Sequence, residues 1–154
     1  MKKVLIIGSG CILMKDDGIG VWVAKNIRDS MGEKGIETLI VETDPDSCIE
    51  FIHEYDFIFV IDAAYTGREP GEITVLSLSD AAMLQKRPNF QHEMNMIDLI
   101  HSRYGVISGC LVGIEPAEIK LGLSLSDKLM KSFIAICTDV ENAILGKWEK
   151  LSSV

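Results

Sequence analysis

A chain of 154 residues, 47% apolar and 25% charged, has the size and composition of one globular domain with a substantial core. Its net charge of −8 argues against a surface for nucleic acid, which needs clustered Lys and Arg, and is compatible with a basic or metal-carrying partner. No apolar run approaches the roughly 20 residues that cross a bilayer, so no membrane insertion is expected.

Met1-Lys2-Lys3 followed by Val4-Leu5-Ile6-Ile7 has the charge order of a secretory leader, but the apolar run is too short and leads into glycines. It reads instead as a first strand, buried on both faces. Ile19, Val23, Ile27 and Met31 recur every four positions and mark one face of a helix that Gly32 and Gly35 stop. Glu37 to Glu42 reads as a second strand. Phe57 to Ile61 is the strongest strand, rich in aromatic and β-branched residues, and ends at Asp62. Pro70-Gly71 is a turn, Ile73 to Leu78 a short strand, Met94 to Ser102 a helix, and Gly105 to Ile114 contains the last strand, stopped before Pro116.

Ser124 and Asp127 have capping-box spacing ahead of a terminal helix with Leu129, Phe133, Ile136, Val140 and Ile144 on one stripe. The expected fold is therefore an α/β protein, a three-layer α/β/α sandwich with a mostly parallel twisted sheet of about five strands. The link from Asp62 to Ile73 is too short for a helical crossover, which makes the Ile73 strand the candidate for antiparallel pairing. With no repeat or linker, residues 1–154 form one domain. Cys11, Cys48, Cys110 and Cys137 lack CxxC spacing and are expected to be reduced, in a cytoplasmic protein. Cys110, Cys137, Trp22 and Trp148 read as packing residues.

Ligands of α/β proteins sit at the carboxyl ends of the strands. The first strand ends in Gly8-Ser9-Gly10, but a dinucleotide fingerprint would need a third glycine where Leu13 stands. A pyrophosphate would also meet Asp16 and Asp17, and no G-K-[ST] of a P-loop exists. The two acids open a helix, where one can cap free N–H groups while the other, pointing elsewhere, faces the ligand edge. Asp62 follows a buried strand directly. It can bond neighbouring backbone N–H groups, ligate a metal or act as a general base.

Of the three histidines, His53 lies in a polar segment and His101 near a helix C-terminus. His92 precedes a helix in a loop able to fold over the same edge. Two carboxylates and one imidazole would suit a borderline divalent ion such as nickel or zinc, with coordination positions left open. No G-x-S-x-G elbow, H-E-x-x-H helix or cysteine-nucleophile signature is present.

These residues lie in blocks that resemble the hydrogenase maturation proteases, endopeptidases that trim the C-terminus of the large subunit of nickel-iron hydrogenases. The family's opening loop, G-x-G-N-x-L-x-x-D-[ED]-G-x-G, is matched from Gly8 to Gly20. An apolar strand ending in D-A, then P-G, is matched by Phe59 to Ala63 and Pro70-Gly71. H-x-[LM]-x-[LM]-x-D is matched by His92 to Asp98. G-[IV]-x-P and a later G-L-x-L-S segment are matched by Gly113 to Pro116 and Gly122 to Ser126. The blocks span nearly the whole chain in order.

The resemblance implies that Asp17, Asp62 and His92 are the catalytic and metal-contacting residues, with Asp16 left as the helix cap. It further implies that nickel arrives on the substrate, the hydrogenase large-subunit precursor, whose C-terminal extension is removed. Cys11 replaces the family's asparagine and is read as a loop substitution or a soft extra ligand. Two other functions compete with the endopeptidase reading. One is a non-catalytic binding protein for nickel or a metalloprotein, with the Cys11 departure as its support. The other is a small-molecule binding domain, weakened by Leu13 and the paired acids.

Overall fold

Val4–Ser9 is buried along its whole length, so this strand, β1, can only lie inside a sheet covered on both faces. A computed structural model, which describes residues 2–42, 45–84 and 96–153, places it there. The strands β2 (Glu37–Val41), β3 (Phe57–Ala63), β4 (Ile73–Ser77) and β5 (Gly109–Ile114) complete a sheet of order β2-β1-β3-β5-β4. β1 runs parallel to β2 and β3, and β3 parallel to β5. Only β4 is reversed, pairing with β5 from Ile73–Ile114 to Ser77–Cys110, as its short connection requires.

Alternation along β1 divides the core between the two faces. Val4 and Ile6 pack with Ile19, Val23 and Ile27 of helix α1 (Ile19–Gly32) and with Leu129, Ile136, Val140 and Ile144 of helix α5 (Asp127–Ser152). Leu5 and Ile7 face the other way, toward Ile49 of helix α2 (Asp46–Ile49), Leu78 and Ala81 of helix α3 (Leu78–Leu84), and Ile97 and Ile100 of helix α4 (Met96–Tyr104). Trp22 and Trp148 pack at the margin of the first cluster, and none of the four cysteines forms a disulfide. The expected sandwich of five strands is thus the observed one.

Local readings differ in four places. Leu78 begins α3 instead of ending β4, because its side chain turns into the second core cluster. Helices α2 and α3 were not legible: the apolar positions of four- and seven-residue helices cover too few turns to show a period. β3 continues through Asp62 to Ala63, so this acid sits within the strand. The cap of α5 is Ser126, not Ser124: its Oγ accepts from Leu129 N–H at 3.3 Å while its own backbone is extended.

Candidate functional site

The strand order reverses direction between β1 and β3, and the carboxyl ends of these neighbours define the topological switch point. Gly8 pairs with Ile61, which brings Ser9 beside Asp62. Helix α1 begins against the same spot. A Cβ on Gly20 would lie 2.1 Å from the Ile61 carbonyl oxygen, and only glycine permits that approach. Gly10, at φ +143°, folds the loop back so far that a Cβ there would lie 2.0 Å from the Asp17 carbonyl oxygen. These contacts, not a phosphate, are what the glycines of the opening loop accommodate.

The adjacent acids have separate surroundings. Asp16 is fully buried. Its Oδ2 accepts from Ala117 N–H and Glu118 N–H at 2.9 Å and from Ser126 Oγ at 2.7 Å, while Oδ1 accepts from Ser126 N–H at 2.8 Å. Asp16 therefore does not cap its own helix, as the spacing suggests. α1 has Gly18 at its N-cap with no side-chain bond, and the Asp16 carboxylate instead fastens the opening loop to the segment 117–126. Around it Lys15 N–H donates to the Gly122 carbonyl at 3.0 Å and Gly122 N–H to Leu13 at 2.9 Å. Lys15, at φ +48°, is drawn across this junction, and its Nζ lies 3.1 Å from Glu118.

Asp17 is half-buried, and its Oδ2 accepts from Cys11 N–H at 3.0 Å. That bond comes from the backbone, so the change from asparagine to cysteine at position 11 leaves it intact. Asp62 accepts from Ala63 N–H at 2.8 Å through Oδ1. Burial holds its carboxyl well above the ordinary carboxylate range, and the negative charge of Asp17 adds to this. The Ala63 N–H and the Ser9 side chain pull in the opposite direction without cancelling it. Asp17 and Asp62 are thus near enough for the charge of one to act on the other.

His92, the third expected member, lies outside the described residues. His53 is exposed, and so is His101 in the last turn of α4. Among the described residues no three His, Cys, Asp or Glu side chains converge closely enough to hold an ion.

Sequence reasoning missed a second clamp. Glu115 is buried just past β5, and its Oε1 accepts from Thr66 N–H at 2.8 Å, Thr66 Oγ1 at 3.1 Å and Arg68 N–H at 3.1 Å. It holds the loop after β3 as Asp16 holds the loop after β1. The signal that picked out Asp62, an acid directly after a buried strand, would also have found Glu115. Tyr65 lies over this region, its hydroxyl raised in pKa by burial and then by Glu115, Asp16 and Asp17.

The fold and this edge define an α/β protein with two carboxylates near its switch point and two further carboxylates bracing the loops. Residues 21–141 match the family model HycI, hydrogenase maturation protease, and the chain belongs to that family. This match begins after the opening loop, so it stands independently of Asp16 and Asp17. Among solved structures, the chain is similar to the hydrogenase maturating endopeptidase HybD from E. coli, at 20% identity and TM-score 0.74 over 94% of this chain and 93% of that one. It is also similar to the [NiFe] hydrogenase maturation protease HybD from Thermococcus kodakarensis, at 25% identity and TM-score 0.65 over 92% and 98%. A third similar structure is the [NiFe] hydrogenase maturation protease HycI from Thermococcus kodakarensis KOD1, at 21% identity and TM-score 0.66 over 89% and 93%. No curated protein sequence matches the chain.

Proposed function

We propose that this protein is an endopeptidase that removes a C-terminal extension from the nickel-loaded large-subunit precursor of a nickel-iron hydrogenase, reading the bound nickel through Asp17, Asp62 and His92. The observation that carries this reading is the placement of two acids at the switch point, with the Asp62 carboxyl buried near the end of β3 beside Ser9 and within reach of the negative charge of Asp17. Two carboxylates that, among the described residues, have backbone N–H groups and a serine as hydrogen-bond partners favour a proton or a cation between them. Oxygen donors with one imidazole suit a borderline divalent ion that is already held elsewhere by its owner. Nickel is accordingly part of the substrate, and the protease needs only to contact it.

The chain's own residues supply position and charge. Asp16 and Glu115 fix the loops on either side, Cys11 N–H orients Asp17, and Ala63 N–H orients Asp62. Peptide hydrolysis then needs an activated water and a polarised scissile carbonyl. An acid of the pair can take the proton of the water, and the substrate's metal can polarise the carbonyl. No helix is long and apolar enough to cross a membrane among the described residues, and the protein is proposed to act in the cytoplasm on its precursor.

The test is incubation with nickel-loaded and nickel-free precursor, following release of the C-terminal peptide by mass spectrometry. Processing of the loaded form alone is expected, and processing of neither form rejects the reading. Asp62→Ala and His92→Ala are each expected to abolish release without loss of the native circular dichroism spectrum. Processing at the native rate by both would reject the site.

A further inference from the structure

Every leucine that is exposed among the described residues lies on one of the two segments joined at the Asp16 clamp: Leu13 is 50% exposed, Leu121 81% and Leu123 76%. They are not scattered. Gly122, between the last two, forms a parallel bridge with Met14, and its N–H donates to the carbonyl of Leu13. The three side chains therefore stand on two stretches of backbone hydrogen-bonded to each other, one of which carries Asp17 four residues after Leu13. Tyr65, also exposed, shares the electrostatic field of Asp16 and Asp17. Single exposed apolar residues are ordinary, but a group on joined segments next to an acidic loop has the composition of an interface, in which apolar contacts keep water from a polar contact.

Charge selects the occupant. The nearby cations Lys15 and Lys120 both pair with Glu118, at 3.1 and 2.7 Å, so neither is free to neutralise Asp17 and Asp62. What approaches must bring positive charge. A free ion would leave the leucines in water, whereas a polypeptide holding that ion covers them as it delivers it.

Building on the function proposed above, the geometry points to the rim of Leu13, Leu121 and Leu123 as the docking surface for an apolar stretch of the precursor next to its bound metal. The acid pair reads the ion and the leucines read the polypeptide. Together they distinguish a loaded precursor from a free ion and from an unloaded chain.

The test is steady-state processing of nickel-loaded precursor by the wild type, by the doubly substituted Leu121→Ser/Leu123→Ser protein and by Leu123→Ser alone. Val106→Ser serves as a control, because Val106 is equally exposed but precedes β5 at the opposite edge of the sheet. The double variant is expected to raise KM about tenfold or more, with a smaller rise for Leu123→Ser and none for Val106→Ser, and with the loss carried by KM. An unchanged KM in both leucine variants, with the wild type active, overturns the docking surface and leaves the function standing. Failure of the wild type to process or bind the loaded precursor overturns both. Sedimentation of the wild type as a dimer that the double substitution makes monomeric, with KM unchanged, would assign the rim to a second copy and also overturn the proposal.

Discussion

The clamp around Asp16 and the pair formed by Asp17 and Asp62 stand side by side and treat a carboxylate in opposite ways. Asp16 is removed from water and given four donors, so that it serves as a structural fastener. Asp62 receives one backbone N–H, help from Ser9 and a like charge as neighbour. A site that, as proposed, receives a cation has to leave some of its negative charge uncompensated, and its frame has to absorb the resulting repulsion. The clamp supplies that frame.

The largest effect expected on the frame is from Asp16→Ala. Three backbone N–H groups and a serine hydroxyl would lose their acceptor in a buried place, costing about 3 kcal/mol or more, measured by urea unfolding. A cost under about 1 kcal/mol would mean that water replaces the carboxylate and the clamp is not structural. Glu115→Gln keeps one acceptor oxygen for the loop of Thr66 and Arg68, and about 1–2 kcal/mol is expected from the loss of charge in those bonds. Ser126→Ala removes both an N-cap and a donor to Asp16, with an expected cost of about 1 kcal/mol.

Asp62→Asn should act in the other direction on stability. The folded protein holds the Asp62 proton more tightly than the unfolded chain does. Stability present below the unfolded value, near 3.8, is therefore lost as pH rises through the higher folded value. Asparagine does not titrate, so the variant should pull ahead of the wild type as pH rises toward neutrality, with the gap closing in acid. Urea midpoints of metal-free protein across that range check this. A gap that stays constant with pH would show that the folded state does not hold the Asp62 carboxyl above its ordinary range.

Much of this was legible in the sequence because periodicity reports burial. The unbroken apolar runs of β1 and β3 and the four-residue recurrence in α1 fixed the sheet and its layers, and the short link before Ile73 fixed the one reversed strand. Asp17 and Asp62 were found because strand ends and helix starts are recognisable, and family-like blocks then sorted one acid from the other. The role of Asp16 was not legible, since its partners lie 101 to 110 residues away along the chain. Spacing within a loop cannot report a partner so remote, so a nearby helix start was the natural but mistaken assignment. Ser126 was passed over for the same reason. Its hydroxyl is held by Asp16, a contact that no local cap pattern contains.

Asp16 holds the frame, and Asp17 is the acid proposed to contact the metal brought by the precursor. Asp17→Asn tests this division most directly, because it removes charge from the pair while keeping an acceptor for Cys11 N–H. Release of the C-terminal peptide from nickel-loaded precursor should be lost, with the urea midpoint at or above that of the wild type. Release at the wild-type rate would contradict the account.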